Sequence, residues 1–196
     1  MSDHWSHYIA FENPDAYSDG EAPITDERHD AVIMHALDTL WENSPENGKG
    51  SFKEFLRDNI EEGQKILLKS DLRGMNTAGH GSVNINLIGS LCDLSVDLNG
   101  EHFLPPAARV ITHEIHHAIF NQDLTEADVI ASTNDILKAT FGPDVIMRDP
   151  QSHKPGQDLN WEHGASMLDK VAASALENTT GTSASDVLNL GICKPG

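Results

Sequence analysis

The sequence is poor in positive charge. Against 31 Asp and Glu it has 13 Lys and Arg, a net charge of −18. Phosphate binding needs clustered Lys and Arg, so the balance argues against nucleic acid as a direct ligand. Anionic membrane surfaces are disfavoured for the same reason. Cysteine is scarce as well. Cys92 and Cys193 are too few and too far apart for a disulfide framework, and neither has the CxxC spacing of a thiolate metal site. No apolar run approaches the ~20 residues of a membrane span. The segment from Met1 to Tyr8 has neither the basic nor the apolar part of a signal peptide. The expectation is a soluble chain made in the cytoplasm. Its apolar share of 38% is low beside the usual globular value of about 45–50%, a figure that counts glycine. A length of 196 residues still suits one domain with its own core.

What is present is read from the N-terminus onward. Residues 1–24 are rich in Ser, Asp, Pro, Gly and His without apolar periodicity, which predicts a loose arm. Residues 25–196 then form the folded domain. Val32, Ile33, Ala36, Leu37 and Leu40 have helical spacing and predict a helix over 25–42, opened by Thr25 and Glu27–Arg28. Ser51-Phe52-Lys53-Glu54 fits a capping box for a second helix over 52–69, with Ile66, Leu67 and Leu68 facing the core and Gly63 as a weak point. Ser82–Leu87 alternates polar and apolar residues, as a half-buried strand does, and a second strand is expected at 91–98. Pro105-Pro106 start a helix over 107–120. Thr125-Glu126-Ala127-Asp128 is a second capping box, for a helix over 126–140 that Gly142-Pro143 stops. A last helix is expected at 161–177. The whole is an α+β domain with a mostly helical core and a small β-sheet.

The chemistry lies in His113-Glu114-Ile115-His116-His117, an HExxH pattern on the helix predicted at 107–120. Residues i and i+4 lie one above the other on a helix face, so His113 and His117 can hold one zinc ion. Glu114 then stands beside the metal, where a general base for the attacking water is needed. Such a pattern arises by chance roughly once in 15–20 chains of this composition. Its placement on an apolar-flanked helix, just after an alternating strand, is what gives it weight. His116 projects about 100° away from His117, toward a supporting or surface position. A catalytic zinc needs a third protein ligand and an open fourth position. Asp123, six residues after His117, is favoured. Glu126, on the first turn of the next helix, is its rival, with Asp128, His153 and His163 behind them. For an oxyanion stabiliser the downstream candidates are Arg148, His153 and His163, since Tyr8 and Tyr17 both lie in the N-terminal arm.

The run from Val110 to His117, then Asp123 and Thr125-Glu126, resembles bacterial effector metalloproteases, small HExxH zincins that pathogens deliver into host cells. Asn134-Asp135-Ile136, Gly142-Pro143 and Arg148 extend the likeness to a related effector-protease family, so that it covers about residues 82–148. It implies a zincin fold with His113 and His117 as ligands, Glu114 as base, Asp123 as third ligand and a protein substrate. Some such effectors are strongly acidic and engage DNA-binding host factors, which agrees with the charge of this chain. The expectation is a monomeric zinc endopeptidase, a virulence effector or toxin secreted into a host or target cell, acting on a protein that is basic or binds DNA. Two other classes compete with it. One is a housekeeping zinc hydrolase or peptidase of small substrates; the other is a non-catalytic acidic binding module with a vestigial metal helix.

Overall fold

A computed structural model describes residues 4–12, 25–72, 76–79, 81–87, 95–120, 124–152 and 182–183. Four α-helices are present among them: α1 (Glu27–Asn43), α2 (Phe52–Asn59), α3 (Ala107–Phe120) and α4 (Glu126–Phe141). Four short strands, β1 (Ile9–Phe11), β2 (Ile66–Lys69), β3 (Thr77–Gly79) and β4 (Ser82–Asn84), form a mixed sheet in the order β1-β2-β4-β3. A second, antiparallel sheet joins β5 (Ser95–Val96), β6 (His102–Leu104) and β7 (Thr182–Ser183) in that order. The fold is α+β, as expected, and the HExxH pattern lies on α3. No helix among the described residues is long and apolar enough to cross a membrane.

The core forms where the apolar faces of the helices meet the first sheet. Ile33, Leu37 and Leu40 of α1, Phe52 and Leu56 of α2, and Ile111 and Ile115 of α3 are buried with Leu68 of β2 and Val83 of β4. Burial of one such aliphatic or aromatic side chain is worth about 1.5–3 kcal/mol. This cluster therefore fixes α3 against the sheet and sets the orientation of its histidines.

Three expectations need correction. Residues 4–12 are not a loose arm. Trp5–His7 make a turn of 3-10 helix, and β1 pairs in parallel with β2, Ile9 opposite Ile66. Trp5 is buried, and its Nε1 donates to Asp38 of α1 at 2.6 Å. Residues 13–24 lie outside the described residues. The helix expected over 52–69 stops at Asn59, and Ile66–Lys69 is a strand parallel to both β1 and β4. Its burial alternates, with Ile66 and Leu68 buried and Leu67 41% exposed. Gly63, at φ 85°, sits between the two elements in the left-handed region that glycine enters at no steric cost. The capping box expected at Ser51 is not formed: Ser51 makes no side-chain cap bond, its N–H donates to Gly48 O at 3.0 Å, Glu54 accepts from Gly50 N instead, and Phe52 N donates to Thr140 Oγ1 of α4 at 2.9 Å.

The strand expected at 82–87 is β4, shorter than predicted, and that expected at 91–98 contains β5. The helix expected at 161–177 lies outside the described residues. The second capping box is complete. Thr125 Oγ1 accepts from Asp128 N, and Asp128 accepts from Thr125 N at 3.1 Å. Gly81, at φ 67°, turns β3 back into β4, and its N–H donates to Ala118 O near the end of α3 at 3.3 Å. This bond ties the hairpin to the site helix.

Candidate metal centre

The site forms where the last turns of α3 meet the first turn of α4. On α3, His113 and His117 share a face, and their rings meet edge to face with centroids 4.8 Å apart. Across from them, the cap at Thr125 fixes the start of α4 and with it Glu126. Glu126 Oε1 is 2.9 Å from His113 Nε2, and Oε2 is 3.0 Å from His117 Nε2. One carboxylate thus faces the same nitrogen of both imidazoles. The side chain of His113 is 11% exposed, those of His117 and Glu126 24% and 30%. One end of the cluster is therefore closed by the core and the other is open to solvent.

The two histidines share Glu126 but are shifted in opposite directions. Burial pushes His113 below the usual histidine value, against the pull of Glu126. His117 is shallower; its hydrogen bond to Glu126 outweighs burial and raises it, with the charge of Glu114 adding to the effect. Glu114, on the next position of α3, is half-buried.

Donor atoms of His113, His117 and Glu126 all lie within 4.8 Å of one another. Zinc bonds of about 2.0–2.2 Å put tetrahedral neighbours roughly 3.3 Å apart. To admit an ion the Glu126 contacts would open by a few tenths of an ångström, and the widest pair of donor atoms, at up to 4.8 Å, would close by about 1.5 Å. Two imidazole nitrogens and one carboxylate oxygen are also the donor set of a hydrolytic zinc centre with its fourth position open. These residues fit zinc. No family model, curated protein or solved structure matches the chain. The reading of the site therefore rests on its own residues.

Of the rival third ligands, Glu126 is brought to the histidines. Asp123 lies outside the described residues, as do His153 and His163. Asp128 is engaged in the cap, its Oδ2 2.6 Å from Thr125 Oγ1. His116 is not a surface group. It is 2% exposed, stacked on Phe55 at 5.3 Å and 10°, with Nε2 2.8 Å from Ser132 Oγ. Burial brings its pKa down to about 4.

Arg148 is also in the neighbourhood. Its positive charge is among the influences that disfavour protonation of His113. Asn134 Nδ2 donates to its carbonyl at 2.8 Å, and its N–H donates to Asn134 Oδ1 at 3.0 Å. Arg109 joins the same group, its Nη1 donating to Asn134 Oδ1 at 2.7 Å. Sequence reasoning missed Arg109. The available signal was its spacing: Arg109 precedes His113 by four residues on one helix face, as Asn134 follows Glu126 by eight on another.

Proposed function

We propose that this chain is a zinc-dependent endopeptidase of the effector type. The observation that carries the proposal is the convergence of Glu126 on His113 and His117, which supplies the third ligand an HExxH helix lacks by itself. His113, His117 and Glu126 would hold the ion. Zinc held there supplies Lewis acidity, lowering the pKa of water and polarising a carbonyl. Glu114 takes a proton from the attacking water and delivers it to the departing amine.

A protein substrate is favoured by the sheet. β3 is the end strand of the order β1-β2-β4-β3 and runs antiparallel to β4. Through Gly81 the hairpin is tied to the end of α3. An extended peptide pairing with that edge would pass beside the histidines, held by main-chain hydrogen bonds that ask little of its sequence. The net charge of −18 favours a basic or DNA-binding target, by steering of opposite charge. Delivery into a host or target cell is the context that the likeness of residues 82–148 to effector proteases suggests.

The test combines metal analysis with cleavage mapping. Purified protein is expected to bind one zinc per chain, and Glu114→Ala to bind as much. In a proteome from candidate target cells, wild type should produce new peptide ends that Glu114→Ala does not, its turnover being lower by about 10²–10⁴-fold. Failure to retain zinc after zinc addition would sink the metal centre. Identical peptide ends from both proteins would sink the role of Glu114.

A further inference from the structure

Glu126 reaches His113 and His117 only if α4 is turned correctly toward α3. Side chains extend about 5–6 Å from a helix axis, so a turn of α4 by about 20° would carry the Glu126 carboxylate about 2 Å, as far as a zinc–oxygen bond is long. The cap at Thr125 fixes Glu126 within α4. It does not fix α4 against α3. Ile130 and Leu137 lie close to the line of Glu126 around α4 and are buried. Apolar contact of that kind is non-directional and tolerates some turning.

Two polar ties supply the missing direction. In the first, Arg109 Nη1 of α3 donates to Asn134 Oδ1 of α4 at 2.7 Å. Asn134 is itself held, because the same oxygen accepts from Arg148 N and its Nδ2 donates to Arg148 O. Arg109 Nη2 donates to the carbonyl of Ile146, so this tie takes in the segment after α4. In the second, Ser132 Oγ of α4 is hydrogen-bonded to His116 Nε2 of α3 at 2.8 Å. The His116 ring is held in turn by its stack on Phe55 of α2. Successive residues are turned by about 100° around a helix. Ser132 therefore lies about 120° to one side of Glu126, and Asn134 about 80° to the other. Arg109 and His116, seven positions apart on α3, leave it within about 20° of one line. The ties grip α4 on both flanks, and turning it in either direction stretches one of them.

Such ties carry a desolvation cost. Arg109 is buried, and its partners among the described residues are neutral: the Asn134 amide, the Ile146 carbonyl and the ring of Phe103, 5.7 Å from its central carbon. An apolar seam would join α3 to α4 at less cost. Directional bonds add a single fixed arrangement, which is the best-attested use of buried polar groups. A metal site whose ligands come from two helices needs that arrangement, since its groups have to be held within about 0.5 Å of the working geometry. We propose that Asn134 with Arg109, and Ser132 with His116, are positioning residues that set the rotation of α4 against α3 and so hold Glu126 at the metal position. The assignment rests on the reading of His113, His117 and Glu126 as zinc ligands.

The test uses Co2+ in place of zinc, because its visible spectrum reports the ligand set. Asn134→Leu and Ser132→Ala each remove one tie. Each should bind cobalt about 10–100-fold more weakly than wild type. Once saturated, each should show a spectrum moved toward that of Glu126→Ala. Asn134→Asp keeps the oxygen that faces Arg109, and Ser132→Thr keeps the hydroxyl, so both should retain the wild-type spectrum. Ile33→Val, in the core of α1, lowers stability without touching either tie and should retain it too. At saturating metal, Ser132→Ala combined with Asn134→Leu should turn over a mapped substrate about 10-fold or more slowly, with KM little changed. Wild-type cobalt affinity and spectrum in both Asn134→Leu and Ser132→Ala overturn the assignment while leaving the metal centre intact, as does unchanged turnover in the combined variant. An equal spectral change in Ile33→Val, or in Asn134→Asp and Ser132→Thr, also overturns it. If Asn134→Leu does not fold, Ser132→Ala, on a half-buried flank of α4, carries both measurements. Wild type that binds no cobalt sinks the metal centre, and this assignment with it.

Discussion

At the scale of single residues, Glu126 and His29 show two opposite uses of a titratable group. Glu126 bridges the Nε2 atoms of His113 and His117 at 2.9 and 3.0 Å. Glu126→Ala should therefore weaken zinc binding by more than the roughly 10–100-fold that loss of a group merely supporting a ligand costs. Asp123→Ala should leave zinc binding near wild type. Zinc titration against a chromophoric chelator decides between them, and the reverse order of effects would restore Asp123 as the ligand. The sequence favoured Asp123 over Glu126, and which of them faces the histidines depends on the angle at which α4 leaves its cap, which no local pattern gives. His29 of α1 is fully buried, and its Nε2 accepts from Leu87 N at 3.0 Å. Burial lowers its pKa to about 4. The folded state thus holds His29 neutral while the unfolded state, with its pKa near 6.5, takes up a proton as the medium is acidified. Its contribution is fully present above about pH 6.5 and is lost as pH falls through about 4, on the order of 3 kcal/mol in all. Urea unfolding across that window should show a shallower pH slope in His29→Gln, which keeps an acceptor but cannot titrate. An equal slope in the two proteins would remove His29 as the cause.

At the scale of elements, long helices with strong apolar periodicity and clear caps were legible. Those over 25–42, 107–120 and 126–140 were found to within a residue or two of α1, α3 and α4. The failures came where a short apolar run can serve either helix or strand. Ile66-Leu67-Leu68 was read as the end of a helix, all three facing the core. In β2 the side chains alternate, so Leu67 points outward and Leu68 inward, a difference fixed by β1 and β4 on either side. No local signal in residues 52–69 announces those partners, and β1 itself came from a segment read as loose. The strand makes a prediction that the helix does not. Leu67→Lys should change stability by no more than about 0.5 kcal/mol, as surface substitutions do. Leu68→Lys should destabilise strongly, since it buries an unpaired charge. Thermal melts of the two variants side by side are enough, and a large loss at Leu67 would argue for the helical packing instead.

At the scale of the whole molecule, the candidate metal site is legible in outline because its two histidines and the proposed base are neighbours in sequence. The cluster of Arg109, Asn134 and Arg148 is not, because it draws on α3, α4 and the loop after α4, and its bonds engage main-chain atoms that any residue would offer. Net charge acts at the same large scale, and it too has a kinetic consequence. A chain at −18 attracts a basic substrate over distances set by the Debye length, about 10 Å at 0.1 M salt and about 30 Å at 0.01 M. Encounter is accelerated by that field, whereas chemistry within the buried end of the site is screened far less. For the mapped substrate, kcat/KM should fall several-fold between 0.02 and 0.2 M salt, with kcat at saturation nearly constant. Stopped assays at several salt concentrations separate the two parameters. If kcat/KM does not respond to salt, the acidic surface serves solubility alone, and a basic target loses its physical support.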